Sequence, residues 1–194
     1  MARTTPEETF AEARAAMERA DWEGVFACLY ADNLRRIGEN SIGRFIAGGE
    51  SAMAAFAALC GEHGVPRERV DALRSGLARM AESSRALSAA MSDPGGIMRQ
   101  SRAHQENVAA YNLAVKETLK AAPDLPRFTA ALERALGGGS VSTRLFVGEV
   151  VEDVQISGTK AWGVRRGRDG FREDVGFVRK KGIWYVRLFG RRPK

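Results

Sequence analysis

The stretch from Val141 to Phe189 most constrains the fold, because it has the pattern of four consecutive strands joined by glycine-containing turns. The three turns are Ser157-Gly158-Thr159, Arg168-Asp169-Gly170 and Lys181-Gly182. Strands joined by such short turns pair with their chain neighbours in antiparallel fashion. The sequence therefore predicts a curved antiparallel sheet of about four strands over residues 140–190.

Alternation along the strands predicts two details of this sheet. The first strand is expected from about Thr143 to Ile156, long enough for Gly148 and the Val150-Val151 doublet to mark a β-bulge. In the later strands, apolar residues two apart are expected to share a face. The sets are Trp162 and Val164; Phe171, Val175 and Phe177; and Trp184, Val186 and Leu188.

Residues 1–50 have the pattern of a helix pair followed by a connector. Thr5-Pro6-Glu7-Glu8 combines an N-cap hydroxyl, a proline at the first helical position and a carboxylate three residues after the cap. This combination predicts a helix that runs to about Ala20. Asp21 is the expected cap of a second helix. From Asp32 to Gly49 the periodicity is weak, and either a short helix or a loop fits it.

Residues 51–136 are predicted to be helical. An alanine-rich helix from Ser51 to Cys60 precedes a long helical hairpin over about 66–121, with its tip near Pro94. Reflection about that tip places Ser84 opposite His104 and Leu77 opposite Tyr111.

After the hairpin, Pro123 and Pro126 are expected to break the helix. One more helix then follows, carrying Phe128, Leu132 and Leu136. The glycines at 137–139 are predicted to be a hinge, and they are not a phosphate loop, because no Lys-Ser or Lys-Thr follows them.

These elements predict an α+β fold in one domain spanning 1–194, with N-terminal helices and a long helical hairpin insertion packed with the C-terminal sheet. A chain of 194 residues with 44% hydrophobic residues is large enough to bury a core without disulfides. Cys28 and Cys60 lie in apolar helical patterns and are expected to be inert core thiols. The sequence predicts no metal site and no cofactor.

The N-terminal residues turn polar at once, and no window approaches 18 uninterrupted apolar residues. These two observations predict a cytoplasmic protein with no membrane segment.

Two segments together resemble the nuclear-transport-factor-like, or ketosteroid-isomerase-like, superfamily. They are Ala20-Asp21-Trp22-Glu23-Gly24-Val25, which ends the helix pair, and Gly182-Ile183-Trp184-Tyr185-Val186, which closes the sheet. The resemblance covers about half of the chain and implies a curved sheet wrapped around helices as a cone, whose mouth serves as a catalytic pocket, a ligand site or a dimerisation surface. The long hairpin departs from that compact plan.

Because no catalytic motif is present, the leading hypothesis is a non-catalytic module that binds a protein partner, a second copy or a small ligand through the cone mouth or the hairpin. Candidate pocket or seam residues are Tyr30, Ser84, His104, Tyr111, Trp162 and Trp184. The alternative is an isomerase or hydrolase with an apolar pocket. The resemblance implies for it a donor such as Tyr30, Tyr111 or Tyr185 and a base such as Glu149, Asp153, Glu173 or Asp174.

The net charge of +6 is unevenly distributed, since residues 160–194 hold twelve Lys or Arg against three acids. One hypothesis is a surface that binds anions or nucleic acid, and the other is charge that protects the edges and turns of a sheet. The candidate residues are Arg165, Arg166, Arg168, Arg172, Arg179, Lys180, Lys181, Arg191 and Arg192.

Overall fold

A computed structural model describes residues 3–92, 94–137 and 146–188 of the chain. Within these ranges the chain forms seven α-helices and a four-stranded antiparallel sheet, which confirms the predicted α+β class. The elements are α1 (Pro6–Glu18), α2 (Trp22–Ala27), α3 (Ala31–Ala47), α4 (Gly49–Glu62), α5 (Arg67–Ala89), α6 (Pro94–Ala121), α7 (Leu125–Ala135), β1 (Val150–Ser157), β2 (Lys160–Arg166), β3 (Arg172–Lys180) and β4 (Ile183–Arg187).

The contacts divide the chain into two compact units. The first unit comprises Met1–Arg44 and Leu125–Lys194, and it holds the sheet with α1, α2, most of α3 and α7. The second unit is Phe45–Asp124, with α4 and the two long helices α5 and α6. The prediction of a single domain stays a prediction.

Helix α1 begins with the predicted capping box, since the Thr5 hydroxyl accepts from the Glu8 N–H and the Glu8 carboxylate accepts from the Thr5 N–H. It ends at Glu18, two residues earlier than expected, because Ala20 adopts a positive φ of 55°. Asp21 then caps α2 by accepting from the Gly24 N–H at 2.9 Å. A short left-handed turn therefore separates the two helices of the pair.

Helix α3 resolves the segment that the sequence left open between a short helix and a loop. It is 17 residues long, and its buried side chains include Leu34, Ile37 and Ile42. The apolar period of this helix is weak for two reasons. Gly43 lies in the helix interior, and the buried face carries the polar residues Asn33 and Ser41. Tertiary burial thus stabilises a helix whose local propensity is modest.

The sheet has the strand order β1-β2-β3-β4, and each strand pairs with its chain neighbour. Strand β1 begins at Val150, because residues 146–148 form a turn with positive φ at Phe146 and Gly148. The bulge lies between Glu152 and Gln155 rather than at Gly148 and Val150-Val151. The earlier part of the predicted strand, residues 143–145, lies outside the described residues.

The face of the sheet that contributes to the core carries Ala161, Val175, Phe177, Trp184 and Val186. On β2 the core residue is Ala161, so the face that Trp162 and Val164 share is the opposite one. Phe171 lies before β3 and is 42% exposed, so it is not a member of the inward set with Val175 and Phe177.

Two extended segments cover the outer edge of β4. The Trp184 N–H donates to the carbonyl of Arg3 at 3.1 Å. The Val186 N–H donates to Cys28 O, and the Tyr30 N–H donates to Val186 O, both at 2.8 Å. This pairing removes an open sheet edge and fixes the chain between α2 and α3 against β4.

In the second unit, α5 and α6 form the predicted helical hairpin, with a short 3₁₀ helix at Ala90–Ser92 before α6 begins. The register differs from the prediction by one residue. His104 Nδ1 lies 3.0 Å from Ser83 Oγ, while Ser84 is exposed, and Tyr111 packs on Gly76 rather than on Leu77. Helix α6 begins at Pro94, the residue near which the tip was predicted.

Helix α7 begins at Leu125 and includes Pro126 in its first turn. Proline fits that position because the first N–H groups of a helix have no partner within it. Pro126 therefore starts a helix instead of ending one. Of the predicted glycine hinge, Gly137 has a φ of 73°, and Gly138 and Gly139 lie outside the described residues.

Candidate functional site

A pocket of about 400 Å³ lies in the first unit where α2, α3, α7 and the β3–β4 turn meet. We call it the Tyr30 pocket. Its walls are Ala27, Leu29, Ala31, Leu34, Leu125, Pro126 and Ile183, and its polar groups belong to Tyr30, Tyr185, Lys180 and Lys181. An apolar cavity with a few convergent polar groups is the usual form of a small-ligand site.

The two tyrosines are held in the pocket by the edge of the sheet. The backbone hydrogen bond from Tyr30 to Val186 places Tyr30 beside the end of β4, the strand that carries Tyr185. The Arg3 guanidinium lies 5.3 Å from the centroid of the Tyr185 ring and also donates from Nη1 to the carbonyl of Ala27. The two tyrosines of the pocket are therefore held in place by strand β4 and by the segment that pairs with it.

The two lysines come from the tight turn between β3 and β4. Lys181 and Gly182 have φ values of 49° and 83°, which are the positive values that a type I′ turn requires. Lys180 and Ile183 pair across the turn and close it. Gly182 suits its position, whereas Lys181 adopts a conformation that is unfavourable for a residue with a Cβ.

The Lys180 ammonium group interacts with Tyr30 and with nearby charged side chains. Its ammonium nitrogen lies 4.8 Å from the centroid of the Tyr30 ring. A hydrogen bond with the Tyr30 side chain raises the pKa of Lys180, and the nearby Asp32 carboxylate acts in the same direction. The charged ammonium form is therefore favoured, which suits ion pairing and opposes the neutral form that a nucleophilic lysine needs.

The other predicted basic residues lie at both ends of the sheet. Arg166 pairs with Arg172 across β2 and β3 at one end, while Lys180 and Lys181 lie at the other. Three cations at the first end have acidic partners: Arg165 contacts Glu149 and Glu173, Arg166 contacts Glu152 at 2.7 Å, and Arg172 contacts Asp153 at 3.7 Å.

The predicted basic surface is thus not one patch among the described residues. Arg168 lies in the turn before β3, at the end away from Lys181. Arg179 donates from Nε to the carbonyl of Gly182 and lies 6.0 Å from the centroid of the Trp184 ring. Arg191 and Arg192 lie outside the described residues.

Of the six predicted pocket or seam residues, Tyr30 lines the pocket. Ser84, His104 and Tyr111 belong to the helical hairpin of the second unit. Trp184 is buried in the core, and Trp162 lines a different cavity of about 450 Å³ beside the β1 bulge.

Sequence reasoning did not find the apolar walls of the Tyr30 pocket, such as Leu34, Leu125 and Ile183. One signal for them was available. Ile183 and Tyr185 share the parity opposite to the buried Trp184 and Val186, so two large apolar side chains on the other face of β4 had to find another contact.

The acids that the enzyme hypothesis required do not line the Tyr30 pocket. Glu149, Glu173 and Asp153 form the ion pairs given above, and Asp174 is exposed. A fully buried carboxylate does exist at Glu133 in α7, where it accepts from the Ser41 hydroxyl at 2.5 Å. It too is absent from the pocket walls, so no tyrosine and carboxylate converge there.

Over the described part of the chain, no cluster of three or more His, Cys, Asp or Glu residues has a geometry that would hold a metal ion. None of the helices in the same ranges is long and apolar enough to cross a membrane. Comparison of the chain with protein-family models, with curated proteins and with solved structures gave no match.

Proposed function

We propose that this chain is a non-catalytic binding module whose Tyr30 pocket takes one small molecule with an apolar body. The observation that carries the proposal is the composition of the pocket walls, seven apolar residues with two tyrosines and two lysines around about 400 Å³. That volume falls toward the lower end of the range for ligand sites, roughly 300–1,000 Å³. The expected ligands are therefore small.

The chemistry of the lining supports binding over catalysis. The titratable side chains of the pocket are two lysines and two tyrosines, so proton abstraction by a carboxylate has no base there. The hydrogen bond with Tyr30 raises the pKa of Lys180, whereas a nucleophilic lysine needs a lowered pKa. The alternative of an isomerase or hydrolase therefore has less support at this site than a binding role.

The test is a titration with a neutral apolar fluorophore, N-phenylnaphthylamine. We expect saturable binding at one site per chain, which Ala31→Phe abolishes because the added ring occupies the pocket at the start of α3. Ala54→Phe places the same ring on an exposed position of α4 and is the matched control. Equal loss in both variants, or no saturable binding at all, would reject the pocket as a ligand site.

We also propose that the first unit is related to the nuclear-transport-factor-like superfamily. The support is its order of elements, in which the pair α1 and α2 precedes a four-stranded antiparallel meander whose buried face holds Trp184 and Val186. An experimental structure of the full chain would test the relation through the curvature of the sheet in the first unit.

A second candidate function is self-association through the tip of the helical hairpin. Met91 and Met98 are 74% and 77% exposed there, and methionine is common at adaptable contact surfaces. A second copy of the same tip would bury both pairs of side chains. Light scattering after size-exclusion chromatography tests it: we expect a dimer that Met91→Gln with Met98→Gln converts to a monomer, and a wild-type monomer would reject it.

A further inference from the structure

We infer that the ligand of the Tyr30 pocket is an anionic amphiphile, an alkyl or aryl carboxylate whose head group meets Lys180 and Lys181. The inference rests on the proposed function, since it names the ligand class for that pocket. It depends on three features of the site: cations without an ion-pair partner, their place at one side of the pocket, and the small number of other donors in the walls.

The first feature is that the pocket lysines have no ion-pair partner among the described residues. No carboxylate in the described ranges forms an ion pair with Lys180 or Lys181, and the acid that acts electrostatically on Lys180, Asp32, is paired with Arg35 at 2.9 Å. By contrast, Arg165, Arg166 and Arg172 at the opposite end of the sheet are all paired with acids. The pocket lysines are therefore among the cations of the sheet that have no ion-pair partner in the described residues.

A cavity in the second unit provides a comparison. It measures about 340 Å³, and its lining includes Arg67 and Asp71, whose side chains approach to 3.8 Å. Of the two cations in that lining, Arg67 and Arg74, the first is compensated by Asp71. The Tyr30 pocket combines apolar walls with uncompensated cations, which is the complement of a molecule with one anionic end.

The second feature is the position of the charges relative to the apolar walls. Lys180 and Lys181 are exposed, whereas Leu29 and Leu34 at the inner side are only 2% and 3% exposed. A bound amphiphile would keep its head near solvent and the lysines and direct its apolar part toward the leucines. In that orientation the charged head group is not buried without a partner, and the apolar chain is not exposed to water.

The third feature is the small number of donors. A nucleotide or sugar phosphate would bring hydroxyl and ring polar atoms against Leu29, Leu34, Leu125 and Ile183, which offer no hydrogen bonds. Lysine binds an anion as a point charge and does not require the forked geometry of phosphate recognition by arginine. A compact monoanion on an apolar chain satisfies the lysines and leaves no polar atom facing the walls.

The experiment is a calorimetric comparison of three probes that share one alkyl chain, namely decanoate, decanol and decyltrimethylammonium, each below its micelle-forming concentration. We expect decanoate to bind at least about tenfold more tightly than decanol, as a hydrogen bond to a charged group allows. Decyltrimethylammonium should bind more weakly than decanol. Higher salt should reduce the preference for decanoate.

Two variants remove the charges with little risk to the fold. Lys180→Met keeps the apolar stem at an exposed position. Lys181→Asn suits the positive φ at that position better than lysine does, so a loss of binding is not a consequence of a damaged turn. Both should lower the affinity for decanoate about tenfold and leave that for decanol within about twofold. Lys180→Arg should restore most of the affinity lost in Lys180→Met.

Lys160→Met is the matched control, because it removes one positive charge from the same sheet without touching the pocket. Equal loss of decanoate affinity in Lys160→Met and Lys180→Met would overturn the inference in favour of diffuse net charge. Equal binding of decanoate and decanol to the wild type would overturn it while leaving the binding-module proposal intact. Binding to anionic lipid vesicles without binding to free decanoate would also overturn it, and failure of every probe, the neutral fluorophore included, would reject the proposed function as well.

Discussion

Replacing Gly76 with alanine should stabilise the helical hairpin of the second unit. Gly76 is a buried residue in the interior of α5, and a Cβ built on it would lie 3.4 Å from Tyr111 Cα, 3.6 Å from Tyr111 Cβ and 3.7 Å from Tyr111 Cδ2. These distances are ordinary van der Waals contacts. The methyl group therefore fits between the helices without displacing the tyrosine.

The magnitude has two parts. Alanine is about 1 kcal/mol more favourable than glycine in a helix interior. Burial of one methyl group adds up to about 0.8 kcal/mol, of which part is lost because Tyr111 Cα belongs to the backbone and cannot move away. We expect a gain of about 1 to 1.5 kcal/mol in the free energy of unfolding, or a rise in Tm of about 2–6 °C by the usual scaling for a chain of this size.

Gly43→Ala is the matched comparison, because Gly43 lies inside α3 and no atom outside its own helical turn lies within 4 Å of the place that the alanine Cβ would occupy. It should yield the helix-propensity part alone, about 1 kcal/mol. Urea unfolding followed by far-ultraviolet circular dichroism measures both variants. If Gly76→Ala destabilises while Gly43→Ala stabilises, α5 and α6 approach more closely than described and the derived register is wrong.

Three further outcomes follow from buried groups. Arg165→Met should destabilise by about 3 kcal/mol, because Arg165 and Glu149 are only 14% and 10% exposed and the carboxylate loses its partner; urea unfolding should show part of the loss restored when Glu149→Gln is added. Gly163→Ala should cost about 1–3 kcal/mol, since its Cβ would lie 2.9 Å from a valine methyl of β1 and 3.0 Å from a backbone carbonyl, and calorimetry measures the drop in Tm. Burial raises the pKa of Cys28 to about 11 and that of Cys60 to about 12. The neutral thiols therefore stabilise the fold fully below the unfolded thiol pKa of about 8.5, and this stabilisation is lost as the pH rises toward 11–12. The fall in the free energy of unfolding over this pH range should be smaller in a double Cys→Ala variant.

The sequence predicted the elements that depend on local signals. The capping box of α1, the cap at Asp21 and the two-residue turn at Lys181-Gly182 all require particular residues at fixed spacing, and each is present in the structure. The antiparallel order of the sheet follows from the same short turns. These features could be predicted because their physical cause lies within a few residues.

The errors arose where a tertiary contact decides the outcome. Helix α3 depends on burial of Leu34 and Ile37 rather than on propensity. The hairpin register shifted by one residue because Gly76 lets the Tyr111 backbone approach closely, and a sequence period of three and four residues does not detect that approach. The β1 bulge lies between Glu152 and Gln155, where Asp153 takes a φ of 54°, and a single Asp within a strand pattern does not identify a bulge.

The candidate site was the hardest feature to predict, because its parts are far apart in the sequence. Tyr30 and Lys180 were both singled out, but for different hypotheses, one as a pocket residue and the other as part of a basic surface. They meet only through the pairing of the segment before α3 with the last strand. Neither the periodicity nor the composition of the sequence predicts that pairing.

This pairing also determines how the pocket would respond to a ligand. The hydrogen bonds that place Tyr30 next to β4 are the same ones that hold Leu29 and Val186 in the core, where both are almost completely buried. A ligand therefore meets walls that are already ordered, and little conformational entropy is lost there on binding. The side chains left to be ordered are mainly the exposed Lys180 and Lys181, whose flexibility has an entropic cost on capture of an anion. Affinity should thus come mainly from the apolar walls and selectivity from the two lysines, so mutations in the two sets should separate these properties.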